Sequence, residues 1–474
     1  MVVACLLFIS SVLWVGVPSL WAQEDRKVDY NDVVRVKKLL DDPSPILTKL
    51  HPSKVLSAET YKKVSYDVDT MKRMWADTVG FRAPDIVGKI APEIKPGLYN
   101  YKDKDKFPGL KELMIPEIYK SFNPGAPPFG CNFPEVRIVP TKHCYWSLPI
   151  AQATKKDAGK SQLDAQGILK DETYVAGYPF PRPRGEFKAN QIVYNNLKRY
   201  SGYESGYGAS YGAGFSKSLK LDRHNQVTVW FLRLYGRVGM EPIGYFDERA
   251  RVCEEEKANA VLYEAPRDFF GNIISMTSYL KPEKFQQILM WVSALRRVRV
   301  ISASDIQEPS GMGDIITADF EGFNQQLSAH IYPYKCEVIA EREYLFPAYS
   351  TTGSEFFTST GVEARNLEFE RRPVYVVKMT QLDKNFVYGH RIVYVDRETF
   401  LHLAVENYDQ KGRLYRSIYL NWGFIPETGM HTSYLAMFRD HLDLHSSFVR
   451  TIIMPDPSMS RKQTDLSALS RGGK

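Results

Sequence analysis

The sequence predicts a mainly β protein of the α+β class, built on one large antiparallel sheet that is curled or closed. Aromatic residues make up 13% of the 474 residues, with 29 Tyr and 25 Phe, and such residues favour half-buried strands over helix interiors. Ten β-branched and aromatic runs also follow one another between residues 225 and 454. Short turn segments, such as Asp396–Thr399 and Asp409–Gly412, make consecutive strands antiparallel neighbours rather than βαβ units.

The composition is that of a globular protein, with 44% hydrophobic and 25% charged residues. The net charge of +7 comes from 62 basic and 55 acidic residues spread along the chain. Weak, peripheral attraction to an anionic membrane surface follows, whereas nucleic-acid binding is not predicted. Metalloprotease, nucleophile-elbow and phosphate-loop motifs are missing from the sequence. We therefore expect no enzyme, no cofactor and no resident metal.

Five segments divide the chain. Residues 1–22 are uncharged and mostly apolar, which is typical of a secretory signal, cleaved or retained as an anchor. Residues 23–200 are rich in proline, with helical periodicity at Asp32–Leu40 and Glu59–Trp75, and are expected to wrap the sheet. Residues 201–224 form a Gly/Tyr-rich segment expected to be a mobile loop. Residues 225–454 form the β domain, and residues 455–474 are expected to be a flexible tail.

Four cysteines follow the signal segment: Cys131, Cys144, Cys253 and Cys336. An even number in an exported chain permits two disulfides with three connectivities. The Cys131–Cys144 pair is the preferred one because it closes a short loop.

The run from residue 225 to residue 238 is apolar on both faces of a strand. Alternation places Val229 and Phe231 on one face and Trp230 on the other. The pattern suits a strand buried between two layers and equally a strand that lines a lipid cavity. Val229, Trp230, Phe231 and Trp291 are the candidate cavity residues.

Arg297 and Arg299 project from one face of a second predicted strand. Arginine can bind a phosphate or carboxylate in bidentate fashion, so the two could clamp a lipid head group. A cross-strand ion pair is the alternative.

His441, Asp443 and His445 would share one face of a strand and could suggest a metal-dependent hydrolase. However, side chains four residues apart on a strand start roughly 13 Å apart, too far for one ion. The polar outer face of a half-exposed strand explains the pattern better.

Several motifs, in order and spacing, resemble a family of exported Gram-negative proteins of uncharacterised function that are described as similar to outer-membrane lipoprotein-sorting proteins. The segment Ala176–Pro181, with Pro183 and Gly185, resembles the family signature Gly-x-Pro-Phe-Pro-x-Pro. Further matches are Trp291 with Leu295–Arg299, Asp319–Phe323, Arg391–Asp396, Phe400, Tyr408–Asp409, Gly412 and Leu414–Arg416.

The resemblance implies a Lol-type fold, which is a curved sheet or open half-barrel whose concave side is plugged by helices. It also implies a periplasmic carrier or acceptor of lipids or other hydrophobic molecules between the inner and outer membranes. Association of the protein with the inner face of the outer membrane is part of that expectation. Family members are often encoded beside outer-membrane channel-like proteins and proton-driven exporters, which are the expected partners. An adaptor of an envelope export complex that binds no lipid is the alternative, and the resemblance supplies no catalytic residues.

Overall fold

The structure is a computed structural model that describes residues 36–40, 42, 44–123, 131–301, 307, 314–323, 326–351, 354–358 and 361–472. The predicted signal segment, residues 1–22, lies outside the described residues. The helices are α1 (36–40), α2 (Ile46–Leu50), α3 (Ala58–Lys63), α4 (Val68–Val79), α5 (Ala83–Ile86), α6 (Pro108–Leu113), α7 (Pro116–Ser121), α8 (Leu148–Asp157), α9 (Lys188–Leu197), α10 (Glu248–Cys253) and α11 (Leu466–Gly472).

The strands outnumber the helices. They are β1 (Gly97–Asn100), β2 (Cys131–Asn132), β3 (Glu135–Ile138), β4 (Ser205–Phe215), β5 (Leu221–Arg233), β6 (Tyr235–Arg237), β7 (Gly244–Tyr245), β8 (Glu255–Ala265), β9 (Ile273–Tyr279), β10 (Gln287–Val292), β11 (Arg297–Ile301), β12 (Tyr334–Phe346), β13 (Ser354–Thr358), β14 (Gly361–Arg365), β15 (Glu368–Gln381), β16 (His390–Asp396), β17 (His402–Tyr408), β18 (Leu414–Ile425), β19 (Met430–Asp440) and β20 (His445–Pro455).

Fifteen of these strands form one sheet in the order β1-β3-β15-β16-β17-β18-β19-β20-β4-β5-β8-β9-β10-β11, with β12 also paired to β15. Its neighbouring strands are antiparallel except for β3 and β15, which run parallel. Across the described residues the sheet ends at β1 and β11 and does not close. The predicted class, a mainly β protein with an open half-barrel, is confirmed.

The Gly/Tyr-rich segment contains a central strand of the sheet, so the prediction of a mobile loop at residues 201–224 is wrong. Strand β4 pairs with β20 on one side and β5 on the other. Glycine alternates along it with larger residues, so Gly206 and Gly208 share one face while Tyr207 and Tyr211 lie on the other. The side chains of Phe231 and its neighbours fill the space above these glycines, which offsets the entropic cost of ordering them.

The end of the chain also differs from the flexible tail predicted at residues 455–474. Helix α11 contacts β9 and β10, and its Leu466 and Leu469 are buried. The hydroxyl of Ser275 on β9 donates a 2.9 Å hydrogen bond to the carbonyl of Thr464. The described part of this segment is therefore packed against the sheet.

The predicted helix Glu59–Trp75 is two helices, α3 and α4. Asp67 caps α4, because its carboxylate accepts a 2.8 Å hydrogen bond from the amide of Thr70. Met71 and Trp75 form the buried stripe that the sequence indicates. The Trp75 indole donates to the carbonyl of Glu398 at 2.8 Å, which attaches the helix to the β16–β17 turn.

Two buried ion-pair clusters hold the sheet to its covering segments. Arg372 on β15 donates to Asp396 at 2.7 Å and to Glu398 at 2.8 Å, with all three side chains inaccessible. Arg391 on β16 donates to Asp319 at 2.7 Å, and Asp319 belongs to a short 3₁₀ turn that crosses β17 and β18. Thus Asp319, Arg391 and Asp396, which belong to the family motifs, form buried ion pairs that stabilise the fold.

Candidate functional site

A cavity of about 280 Å³ lies against one face of the sheet, which we call the cavity face. Residues of β5, β8, β9, β19 and β20 form most of its wall. An engineered apolar cavity of roughly 150 Å³ takes up benzene, and ligand pockets begin near 300 Å³. The cavity is therefore large enough for a small hydrophobic molecule or part of a lipid chain.

Cross-strand register explains why the wall is apolar. Val229 on β5 pairs with Val261 on β8, which pairs with Ile274 on β9. One row along, Phe231 pairs with Asn259, which pairs with Met276. Directly paired residues share a face, so each row gives the cavity one continuous wall across three strands.

The glycine face of β4 lies beside these rows. Gly208 is paired with Val229 and with Ile453, and Gly206 is paired with Phe231. Ser210 is the next residue on this face, and its hydroxyl hydrogen-bonds Thr451 at 2.6 Å. Because glycine adds no side chain here, Phe231 and Ile453 of the cavity wall pack directly over β4.

The structure separates the two faces that the sequence leaves equivalent. Val229 and Phe231 are half-buried and face the cavity. Trp230 borders the wall, but alternation places its ring on the opposite face, where it is only 2% exposed. Trp291 does not line the cavity, because its neighbour Met290 carries the cavity face of β10.

Arg297 and Arg299 lie on β11, the edge strand, and both are exposed. Their partners Val292 and Met290 put them on the cavity face, but they are not part of the cavity wall. Four strand spacings, roughly 19 Å, separate Arg299 from Val229 along the sheet. Neither arginine forms an ion pair with another residue of the described ranges, so the cross-strand pair offered as the alternative is not seen there.

A cationic cluster that sequence reasoning missed lines one end of the cavity: Arg199, Arg233 and Lys257. Among the described lining residues there is no Asp or Glu. Arg233 ends β5 and is paired with Lys257 near the start of β8. Since alternation alone does not show which strands pair or in what register, the sequence gives no sign that these two cations meet.

Residues 314–323 and α9 cover the cavity face beside the cavity and correspond to the helical plug that the resemblance implies. Ile315 lines the cavity. Asp314 accepts hydrogen bonds from Ser447 and from Arg223, the latter at 3.2 Å, and burial raises the pKa of its carboxyl group. From α9, Asn196 donates to His402 at 2.8 Å.

The histidine motif lies in a turn, not on a strand as predicted. Strand β19 ends at Asp440, β20 begins at His445, and Leu444 between them has a φ of 59°. His441 hydrogen-bonds Ser417 at 2.8 Å, whereas His445 lies 3.8 Å from Asp314. In the part of the chain that the structure describes, no three His, Cys, Asp or Glu side chains are grouped to hold a metal ion.

The predicted Cys131–Cys144 disulfide is not formed. Cys144 is a free, buried thiol, and burial raises its pKa well above the ordinary value. Its backbone amide donates to Glu398 at 2.9 Å, so it belongs to the Arg372 cluster. The backbone of Cys131 instead pairs with Val362 in a separate small sheet. Short spacing therefore did not bring the two cysteines together.

The fold and the cavity together define an open, mainly β half-barrel with a largely apolar cavity. The chain belongs to the DUF1329 family, described as proteins of unknown function, whose family model matches residues 132–452. The match covers more than half of the chain and includes β5, β8, β9 and β19 and most of β20.

Solved structures show distant similarity. A DUF1329 family protein from Desulfovibrio piger is 15% identical, with a TM-score of 0.41 over 56% of this chain and 91% of its own. A putative outer membrane lipoprotein-sorting protein domain from Vibrio parahaemolyticus is 16% identical, with a TM-score of 0.41 over 59% and 97%. A LolA superfamily protein from Nitrosomonas europaea is 11% identical, with a TM-score of 0.35 over 59% and 98%.

No curated protein matches the chain. Within the described ranges, none of the helices has the length and apolar character needed to cross a membrane.

Proposed function

We propose that this protein is a non-enzymatic carrier or acceptor of lipid or other hydrophobic molecules in the periplasm, working between the inner and outer membranes. The cavity is the observation that supports it. Its central rows consist of Val229, Phe231, Val261, Ile274 and Met276, interrupted only by Asn259. Transfer of an acyl chain from water into the cavity would contribute a favourable free energy of about 25 cal/mol for each Å² of apolar area buried. That free energy is enough to hold a lipid without any covalent step.

The expected setting follows from the sequence and the family. An exported chain of net charge +7 is attracted to anionic membrane surfaces, so we propose a location at the inner face of the outer membrane. A channel-like outer-membrane protein or a proton-driven exporter is the proposed partner. The cargo would pass between this partner and the protein, and the cavity would shield the apolar part of the cargo from water.

Native mass spectrometry of protein extracted gently from its own envelope tests the proposal. We expect bound lipid at close to one molecule per chain, which organic extraction removes and identifies. Delipidated protein should then take up a neutral reporter dye such as Nile red. Protein that carries no lipid and takes up no dye would contradict the carrier function.

A second candidate, the adaptor, is favoured by the edge of the sheet. Strand β11 has no partner on its outer side among the described strands, and it exposes Val298 and Val300, the latter at 75%. An exposed apolar edge can accept a strand from another protein. If the cavity proves empty, loss of the partner interaction in Val300→Lys would support this candidate instead.

A further inference from the structure

The cationic cluster at one end of the cavity bears on the chemistry of the cargo's head group. Arg233 and Lys257 are directly paired across β5 and β8, and like charges directly opposite each other destabilise a sheet. Arg199 lines the same end of the cavity. Lys257 also donates a 3.1 Å hydrogen bond to the carbonyl oxygen of Leu197. Three cations at one end of an apolar cavity make that end attractive to an anion.

Two carboxylates that interact electrostatically with Arg233, those of Glu204 and Glu256, are hydrogen-bonded elsewhere. Glu256 accepts a 2.8 Å hydrogen bond from the ammonium group of Lys198 and also interacts electrostatically with Lys257 and Arg233. Glu204 accepts hydrogen bonds from the backbone amides of Val238 at 2.6 Å and Met240 at 2.8 Å. Neither carboxylate lines the cavity.

Arg233 supplies a second, independent observation. Its Nη2 donates to the carbonyls of Lys198 and Arg199, the latter at 2.5 Å, and its guanidinium lies 3.8 Å above the ring of Tyr200. Its Nη1 is buried and has no hydrogen-bond partner in the described part of the chain. A buried donor of this kind is normally satisfied, and a carboxylate or phosphate oxygen is the acceptor that a guanidinium suits best.

We infer that the ligand is an anionic amphiphile whose carboxylate or phosphate group lies between Arg233 and Lys257. Its chain follows the Phe231 and Val229 rows toward Tyr263, three row spacings or roughly 20 Å away. This inference rests on the proposed function and adds the ligand class to it. The edge arginines Arg297 and Arg299, predicted from the sequence to bind the head group, are not needed for it.

Three probes with one chain length test the inference: dodecanoate, dodecyl phosphate and dodecanol, each titrated by displacement of Nile red. A charge-assisted hydrogen bond contributes about 1.5–3 kcal/mol, so at least one of the two anions should bind about tenfold tighter than dodecanol, or more. The anion that binds tighter identifies carboxylate or phosphate as the preferred head group. Equal affinity for all three would overturn the inference and leave the carrier function standing. Failure of every probe, and of the dye, would overturn the carrier function itself.

Variants locate the head group. Lys257→Gln should remove most of the preference for the anion while dodecanol affinity stays the same, and Lys257→Arg should keep the preference. Arg233→Lys retains the charge if Arg233→Gln fails to fold. Arg299→Gln is the matched control, a cation on the same face but outside the cavity, and should change nothing. If Arg299→Gln removes the preference and Lys257→Gln does not, the head group lies at the sheet edge and the inference is wrong.

Discussion

Two adjacent residues of β5 allow the cavity to be tested against a sealed core. Val229 faces the cavity, whereas Trp230 lies on the opposite face with 2% of its surface exposed. Trp230→Ala should cost about 3–5 kcal/mol of unfolding free energy through lost burial and the hole left behind. Val229→Phe extends instead into about 280 Å³ of space. It should escape the usual overpacking cost of about 1–3 kcal/mol and change stability by less than about 1 kcal/mol.

Ligand uptake should respond in the opposite way. Urea denaturation gives the stability of each variant, and Nile red titration, normalised to the folded fraction, gives its capacity. Val229→Phe should reduce capacity per folded molecule, while Trp230→Ala should leave that capacity unchanged. If Val229→Phe loses several kcal/mol and its capacity per folded molecule is unaltered, then this face is ordinary core and the reasoning is refuted.

Two further predictions concern buried titratable groups. Without reductant, iodoacetamide should modify the exposed Cys253 in the native protein but reach Cys144 only in urea, because Cys144 is buried and its thiol has a raised pKa. If Cys144 reacts in urea only after a reductant is added, it is in a disulfide and the prediction is wrong. Burial lowers the pKa of His431 to about 3, against about 6.5 in the unfolded chain. The unfolded state therefore binds a proton that the folded state excludes, and the unfolding free energy should fall as the pH drops below about 6.5. His431→Gln should flatten this dependence in urea denaturation between about pH 7 and pH 5, and an unchanged slope would count against it.

The sheet was predictable because its signal is local. β-Branched and aromatic runs between short turns indicate antiparallel neighbours, and β15 to β20 follow one another in the sheet as they do in the sequence. Strand β4 was missed for an equally local reason, since glycine has low strand propensity. Its order comes from tertiary contacts, with Phe231 packed over Gly202 and Gly206.

The site was predictable only in part. Both faces of β5 are apolar, because one is buried in the core at Trp230 and the other borders the cavity, so alternation identified the faces without distinguishing them. The cationic cluster depends on register. Arg233 meets Lys257 because β5 and β8 pair in the continuous register that also places Val229 opposite Val261. One residue of slip would turn Lys257 to the other face, and the sequence alone does not exclude that.

The glycines of β4 connect the sheet to the cavity. A Cβ at Gly206 would lie 2.7 Å from the carbonyl oxygen of Met454 on β20, so close pairing of these strands requires glycine. The same missing side chains let two residues of the cavity wall, Phe231 and Ile453, pack directly over β4. A single feature of the sequence therefore permits both the tight central pairing and the packing of two cavity residues over it. Substitution at Gly206 would disturb both together, which makes Val229, with space in front of it, the better position at which to separate binding from folding.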